Sequence, residues 1–198
     1  MKWLFCLLPL VMLFIGCGED DKVMNPTPTG QIWPLTVGNE WIYEDRELDS
    51  AGNPIRVDTT VILVDKDTLI GNERWYIITT NGVRYQEIGL IGNRGDGLWQ
   101  GGPSGTLVFR YPVTISDTLV FGENTATIES IHDTVTVPAG TFVCINYKWT
   151  GGDDSERPYQ FHYMSPSVGF IKAEEFHETG SGYIYPYYRT VLISYQLH

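Results

Sequence analysis

From Trp33 onward no segment sustains an apolar repeat of about 3.6 residues, and alternation broken by turn signals dominates instead, the pattern of strands with one buried face. Asn81-Gly82 separates two runs of strand formers, residues 74–80 and 83–88. Both turn residues tolerate the positive φ that a tight hairpin requires. Gly71-Asn72 parts residues 61–70 from 73–78, so three successive strands are expected to form a meander. Pro138-Ala139-Gly140 joins residues 134–137 to 142–149 in a later hairpin. Period-two alternation places Val143, Ile145, Tyr147 and Trp149 on one face of its second arm, and Phe142, Cys144, Asn146 and Lys148 on the other.

Further strands are expected over residues 40–47, 106–111, 125–131, 159–164, 169–176 and 183–195. Gly- and Asp-rich stretches at 92–97 and 151–155 read as loops capping the ends. The expected fold class is all-β, a single antiparallel curved sheet or barrel of about ten strands joined by hairpins. A signal helix and a flexible linker precede it.

The amino terminus departs from this pattern. Lys2 precedes an uninterrupted apolar run from Trp3 to Ile15, too short for a permanent span, which needs about 20 residues, and fitting a secretory signal. The run ends in Leu13-Phe14-Ile15-Gly16-Cys17, which resembles the lipobox of bacterial lipoproteins, with Phe14 where Leu is usual. The resemblance implies lipidation at Cys17 and three segments: a signal peptide at 1–16, the lipidated cysteine and a flexible acidic, Pro- and Thr-containing linker at 17–32, and the β domain at 33–198. Gly18 rather than Asp follows Cys17, and Glu19-Asp20-Asp21 comes next. That acidic run resembles the surface-export signal of Bacteroidetes lipoproteins. The expected address is the bacterial outer membrane, lipid-anchored, on either its periplasmic or its outer face.

Composition sharpens this reading once the signal is set aside. Removing 16 of the 198 residues leaves 182, and losing Lys2 moves the net charge from -11 to -12. Cys6 leaves with the signal and Cys17 takes lipid, so Cys144 remains alone and cannot close an intramolecular disulfide. So acidic a surface opposes phosphate contacts and excludes nucleic acid as a partner. A domain of this size can be held by its core without disulfides, burying about 70% of its unfolded surface.

Three blocks carry a wider likeness. Pro34 to Tyr43 (PLTVGNEWIY), Val137 to Cys144 (VPAGTFVC) and Tyr163 to Lys172 (YMSPSVGFIK) resemble, in order, the VGNxWxY, VPAGTF and PxVGxxK motifs of an uncharacterised family of secreted bacterial lipoproteins. These motifs are strand and turn chemistry, so the resemblance implies a shared fold and brings no catalytic residue. At fold level the family is similar to the curved sheets of LolA/LolB-like lipoprotein carriers, which wrap a greasy cavity.

Candidate chemistry is sparse. Gly102-Pro103-Ser104-Gly105-Thr106 lacks the strand–turn–helix setting of a serine nucleophile. His132, His162, His177 and His198 have no zinc-ligand spacing, although His162 and His177 fall on neighbouring strands and could face each other. Residues 65–71 begin like an EF-hand loop but place Leu at the fifth position and Gly one place late. Asp153-Asp154-Ser155-Glu156 could gather oxygen ligands for calcium, and Arg94-Gly95-Asp96 spells an integrin-type tripeptide. Glu174 and Glu175 are adjacent and would point to opposite faces, and Cys144 is expected to be a small buried hydrophobe. No catalytic residue, metal site or cofactor is expected.

The remaining candidates are Tyr183, Tyr185 and Tyr187, which share one strand face if the chain runs regularly through Pro186. The expected function is a non-catalytic, lipid-anchored envelope domain that binds a hydrophobic ligand or another envelope protein within or along its sheet. The alternative is a carbohydrate-binding module whose exposed aromatic face stacks on glycans. Cys17→Ala is expected to move the protein from the membrane pellet to the soluble fraction. Unchanged fractionation would overturn the lipoprotein reading.

Overall fold

The computed structural model describes residues 31–84, 89–152, 156–166 and 168–198. The signal peptide, Cys17, most of the linker and Asp153-Asp154-Ser155 lie outside the described residues. The strands are β1 (Glu40–Leu48), β2 (Pro54–Ile70), β3 (Glu73–Thr80), β4 (Val83–Arg84), β5 (Leu90–Arg94), β6 (Gly97–Gln100) and β7 (Thr106–Arg110). They continue as β8 (Thr118–Phe121), β9 (Asn124–Val137), β10 (Gly140–Gly151), β11 (Gln160–Ser165), β12 (Gly169–Glu178) and β13 (Ile184–Gln196). Among the described residues there is no helix.

Twelve strands form one antiparallel path, β7-β6-β5-β3-β2-β1-β13-β12-β11-β10-β9-β8, with β4 beside β3. Its two ends, β7 and β8, approach one another, so the sheet curls into a nearly closed barrel. Inside, the Tyr147 hydroxyl donates to the Arg110 carbonyl at 2.7 Å, and the Phe109 ring meets Tyr147 edge-on at 5.1 Å. These contacts tie β7 to β10 across the interior.

The expected turns are present, with Asn81 at φ 51° and Gly82 at φ 74°, but the described residues form thirteen strands. The stretch at 92–97, expected as a loop, is instead the tight β5–β6 hairpin, with Arg94 opposite Gly97. Gly97 sits at φ +140°, and a Cβ there would lie 2.0 Å from the Phe109 carbonyl oxygen, so glycine serves close strand packing. Strands expected at 125–131 and 134–137 are the single strand β9. β2 begins at Pro54 rather than 61, because its polar first half pairs with β1 although it buries little.

Burial on β10 is wider than one face. Register against β9 shifts between Cys144 and Asn146 and again before Tyr147, with the extra residues on β9, while β10 pairs regularly with β11 from Ile145 to Trp149. Phe142, Cys144, Ile145, Asn146, Tyr147 and Trp149 are all buried, and Val143 is half-buried. Buried Trp41, Tyr43, Phe109, Tyr147 and Trp149 belong to one continuous hydrophobic cluster.

One end of this barrel is plugged by the segment that leads into β1. Ile32 is fully buried and Leu35 is 4% exposed. Trp33 stands edge-on to Trp41 at 5.3 Å, and the Trp41 indole N–H donates to the Val168 carbonyl at 2.7 Å. Gly169 is at φ +100°, and a Cβ there would come within 2.3 Å of Trp33 Cδ1. Only glycine lets the indole lie over the β11–β12 turn. Asn39 completes the plug, donating to the Pro34 carbonyl at 2.6 Å and accepting from the His198 backbone N–H at 2.8 Å.

The outer wall carries charge. Pairing across β10 to β1 aligns Lys148, Phe161, Glu174, Arg189 and Arg46 in one outward row. Glu174 is bonded to Arg189 at 3.0 Å and Lys172 at 2.9 Å. Such a wall faces water, since each Lys or Arg on a lipid-facing barrel costs about 2–4 kcal/mol at mid-membrane. Ile32→Ala is expected to destabilise the domain by about 2–5 kcal/mol in urea unfolding, as for other buried large-to-small changes. A loss below about 0.5 kcal/mol, the scale of surface substitutions, would detach the plug from the fold.

Candidate functional site

At the end opposite the plug, the inner face turns from apolar to polar. Strand pairing aligns Tyr147, His162, Ala173, Thr190, Asp45 and Asp58 across β10, β11, β12, β13, β1 and β2. The next row toward the mouth holds Trp149, Gln160, Glu175, Tyr188 and Glu47. Asp45 accepts from the Thr60 and Thr190 hydroxyls, both at 2.6 Å. Burial, then the Asp45 and Glu175 carboxylates, push the Tyr188 phenol up to about 12, so it remains a donor. Burial also raises the Glu175 carboxyl above its ordinary value, and Arg157, at 3.6 Å, opposes the shift.

The three candidate tyrosines lie on this mouth. A bulge opposite Glu175 and Phe176 makes Tyr187 the extra residue of β13, yet the rings still form a row. Tyr183 and Tyr185 stack with centroids 6.0 Å apart and planes 14° apart. His177 links the row, its ring 5.6 Å from Tyr185 and 5.6 Å from Tyr187. The Tyr183 hydroxyl donates to the Ser50 carbonyl and the Tyr187 hydroxyl to Glu47 Oε1, each at 3.4 Å. Tyr183 is 55% exposed. The structure therefore gathers the sequence candidates and adds His177, Glu47 and Ser50, whose proximity only the β1–β13 and β12–β13 pairings create.

Beside the row lies a cleft of about 190 Å³ lined by Asn124, Trp149, Arg157, Tyr159, Gln160 and Glu175 with Gly151 and Gly152. No local motif announces it, because its walls come from four separate strands and the segment before β11. Glu156 and Arg157 connect it to the row. The Glu156 carboxylate meets His177 Nε2 at 3.0 Å, and Arg157 reaches Glu175.

Other sequence candidates are placed elsewhere. His162 and His177 do not face each other. His162 packs against Phe109, Trp149 and Phe170 at 5.6–6.1 Å and meets Gln160 Oε1 at 3.2 Å. Among the described residues no group of three or more His, Cys, Asp or Glu is arranged to hold a metal ion. Cys144 is 1% exposed, and burial followed by Asp133 pushes its thiol up to about 12, so it stays protonated. Residues 65–70 are strand, with Asp67 paired to Arg74 across the hairpin. In the Arg94-Gly95-Asp96 turn, Arg94 bonds Glu73 and lies 4.4 Å over Trp99, whose indole N–H donates to Asp96. That turn is occupied internally.

No protein-family model matches the chain, and no curated protein matches it. The fold is similar to that of a candidate exported protein with a YmcC-like fold from Bacteroides fragilis NCTC 9343. That likeness has a TM-score of 0.53 at 13% identity and covers 83% of this chain and 98% of that one. A candidate lipoprotein from Parabacteroides distasonis ATCC 8503 aligns at 15% identity with a TM-score of 0.43, over 84% of this chain and 98% of its own. At 13% identity the first likeness establishes a common fold.

Burial in the aromatic box lowers His162 from 6.5 to about 4. The unfolded chain therefore takes up this proton between those values while the folded chain does not, and stability falls as pH drops from 6.5 toward 4. His162→Phe is expected to remove that share of the acid loss, measured as the pH slope of urea midpoints. An unchanged slope would show that the imidazole is protonated in the folded state.

Proposed function

We propose that this chain is a lipid-anchored, non-catalytic domain of the bacterial outer membrane that binds carbohydrate at the open mouth of its barrel. The observation that carries the reading is the row Tyr183, Tyr185, His177, Tyr187, set beside carboxylates and hydroxyls on a partly exposed inner wall. Aromatic faces flanked by donors and acceptors suit sugar rings, which offer apolar C–H faces and hydroxyl edges. A lipid carried inside the barrel is disfavoured, because the buried hydrophobic cluster lies there. The charged outer wall suits a domain held at a membrane by its lipid at Cys17 rather than embedded in it.

Absence of catalysis is inferred from how the mouth carboxylates are used. Both oxygens of Asp45 hold threonine hydroxyls and Glu175 lies against Arg157, an arrangement that suits holding a ligand better than a general acid and base set across a scissile bond. A second reading, docking of another envelope protein, is favoured by Ile55 and Val57, 63% and 53% exposed on β2 near the same mouth.

The lipidated full chain in detergent micelles is expected to retain glycans on an array. Tyr183→Ala with Tyr185→Ala is expected to weaken the best signal by about tenfold or more, the scale of lost aromatic stacking. Retention of no glycan by the wild type would overturn the reading, as would retention unaffected by the double substitution.

A further inference from the structure

The Trp149 cleft has a chemistry of its own. Its volume of about 190 Å³ is below the roughly 300–1,000 Å³ of pockets that enclose drug-sized ligands, so it suits one small ring and not a chain segment. Its wall is aromatic on the Trp149 side, where the residue is 6% exposed and its indole N–H meets no acceptor among the described residues. The Gln160 carbonyl oxygen meets His162 Nε2 at 3.2 Å, and the amide still has its NH₂ donors and a second carbonyl lone pair to offer a ligand.

Across the cleft, Arg157 and Glu175 stand 3.6 Å apart. A guanidinium carries five N–H donors and a carboxylate about four acceptor sites, more than a single contact uses, so the two groups can offer donors and acceptors side by side to neighbouring hydroxyls. Their charges cancel, and Glu175 opposes entry of an anion. A group bearing several hydroxyls, each both donor and acceptor, satisfies all of these; a phosphate or an acyl chain does not.

Position links the cleft to the tyrosines. Glu175 and His177 are two residues apart on β12, about 6.6 Å along a strand and on the same face. Glu156 and Arg157, consecutive in the chain, contact one each. A ligand leaving the cleft passes over His177 onto the tyrosine row.

Resting on the carbohydrate reading, we infer that the cleft formed by Trp149, Gln160, Arg157 and Glu175 is an end-recognition subsite that takes the uncharged terminal sugar of a chain whose following rings lie on the tyrosines. The domain then selects chain ends over chain interiors, and neutral ends over acidic ones.

The test uses the full chain in micelles with maltohexaose, cellohexaose, chitohexaose and mannohexaose as linear probes, α-cyclodextrin as a ring of glucose without ends, and any further array hits, by calorimetry. Glu175→Gln and Arg157→Met, checked for wild-type thermal melting, are each expected to weaken the best linear probe by about tenfold, the loss of one buried polar contact. The end sugar alone is expected to compete in the wild type and not in Glu175→Gln. Should the wild type bind a linear probe while both cleft variants bind it within about twofold, the subsite is wrong and the carbohydrate reading stands. The same holds if maltohexaose binds and α-cyclodextrin binds equally well. If the wild type binds no glycan, the carbohydrate reading fails and the subsite with it.

Discussion

Among the described residues, the pairing of the first strand with the last is the hydrogen-bonded ladder that joins the two halves of the sheet. β1 lies at the middle of the sheet, between β2 and β13, and pairs with β13 from Glu40 opposite Gln196 to Glu47 opposite Tyr188 with one register shift between Ile42 and Tyr43. On one side the chain runs outward to β7 and on the other to β8. Breaking the seam would leave two open sheets, each exposing half of an aromatic core. Both ends of the barrel depend on it too. The plug is fastened where Asn39 accepts from His198 and Trp41 donates to Val168, and the mouth is built where Thr190 and Tyr187 of β13 meet Asp45 and Glu47 of β1. Contacts this distant in sequence make closure a late and slow event in folding, since loop entropy must be overcome before they form.

Bulges turn a regular sheet into this particular barrel. The slips opposite Cys144 to Tyr147 give β9 extra residues where β10 is buried on both faces, and the slip opposite Glu175 and Phe176 gives β13 an additional tyrosine at the mouth. Each increases local twist and re-aims side chains. The core and the mouth are thus one device at two depths: the same inward rows that carry Tyr147 and Trp149 continue into Asp45, Glu175 and Tyr188 as the strands run out of apolar partners.

Much of the fold was legible in turn chemistry and strand propensity. Asn81-Gly82, Gly71-Asn72 and Pro138-Ala139-Gly140 each mark a hairpin that the structure contains, because these residues state their own backbone preference. β5 and β6 were not legible, since their glycines are required by the approach of Trp75 and the Phe109 carbonyl from elsewhere in the sheet. The first half of β2 was not legible either, because its residues bury little and only β1 holds them extended. The burial of β10 on both faces from Phe142 to Tyr147 escaped for a third reason, as it goes with register shifts against β9 that leave no composition signature.

By itself the amino-acid sequence determined the all-β class, the position of most hairpins and the nomination of Tyr183, Tyr185 and Tyr187 as a row. These follow from local properties: two-residue alternation, φ preferences and the side chains of one strand. Tertiary structure alone decided that the barrel is plugged at one end by Ile32 and Trp33, that aromatic residues from distant strands form one buried cluster, and that Trp149, Gln160, Arg157 and Glu175 share a cleft. Those outcomes depend on register and closure between segments far apart in the chain, where the choice of partner is set by the summed packing of the whole sheet and by no residue's own preference.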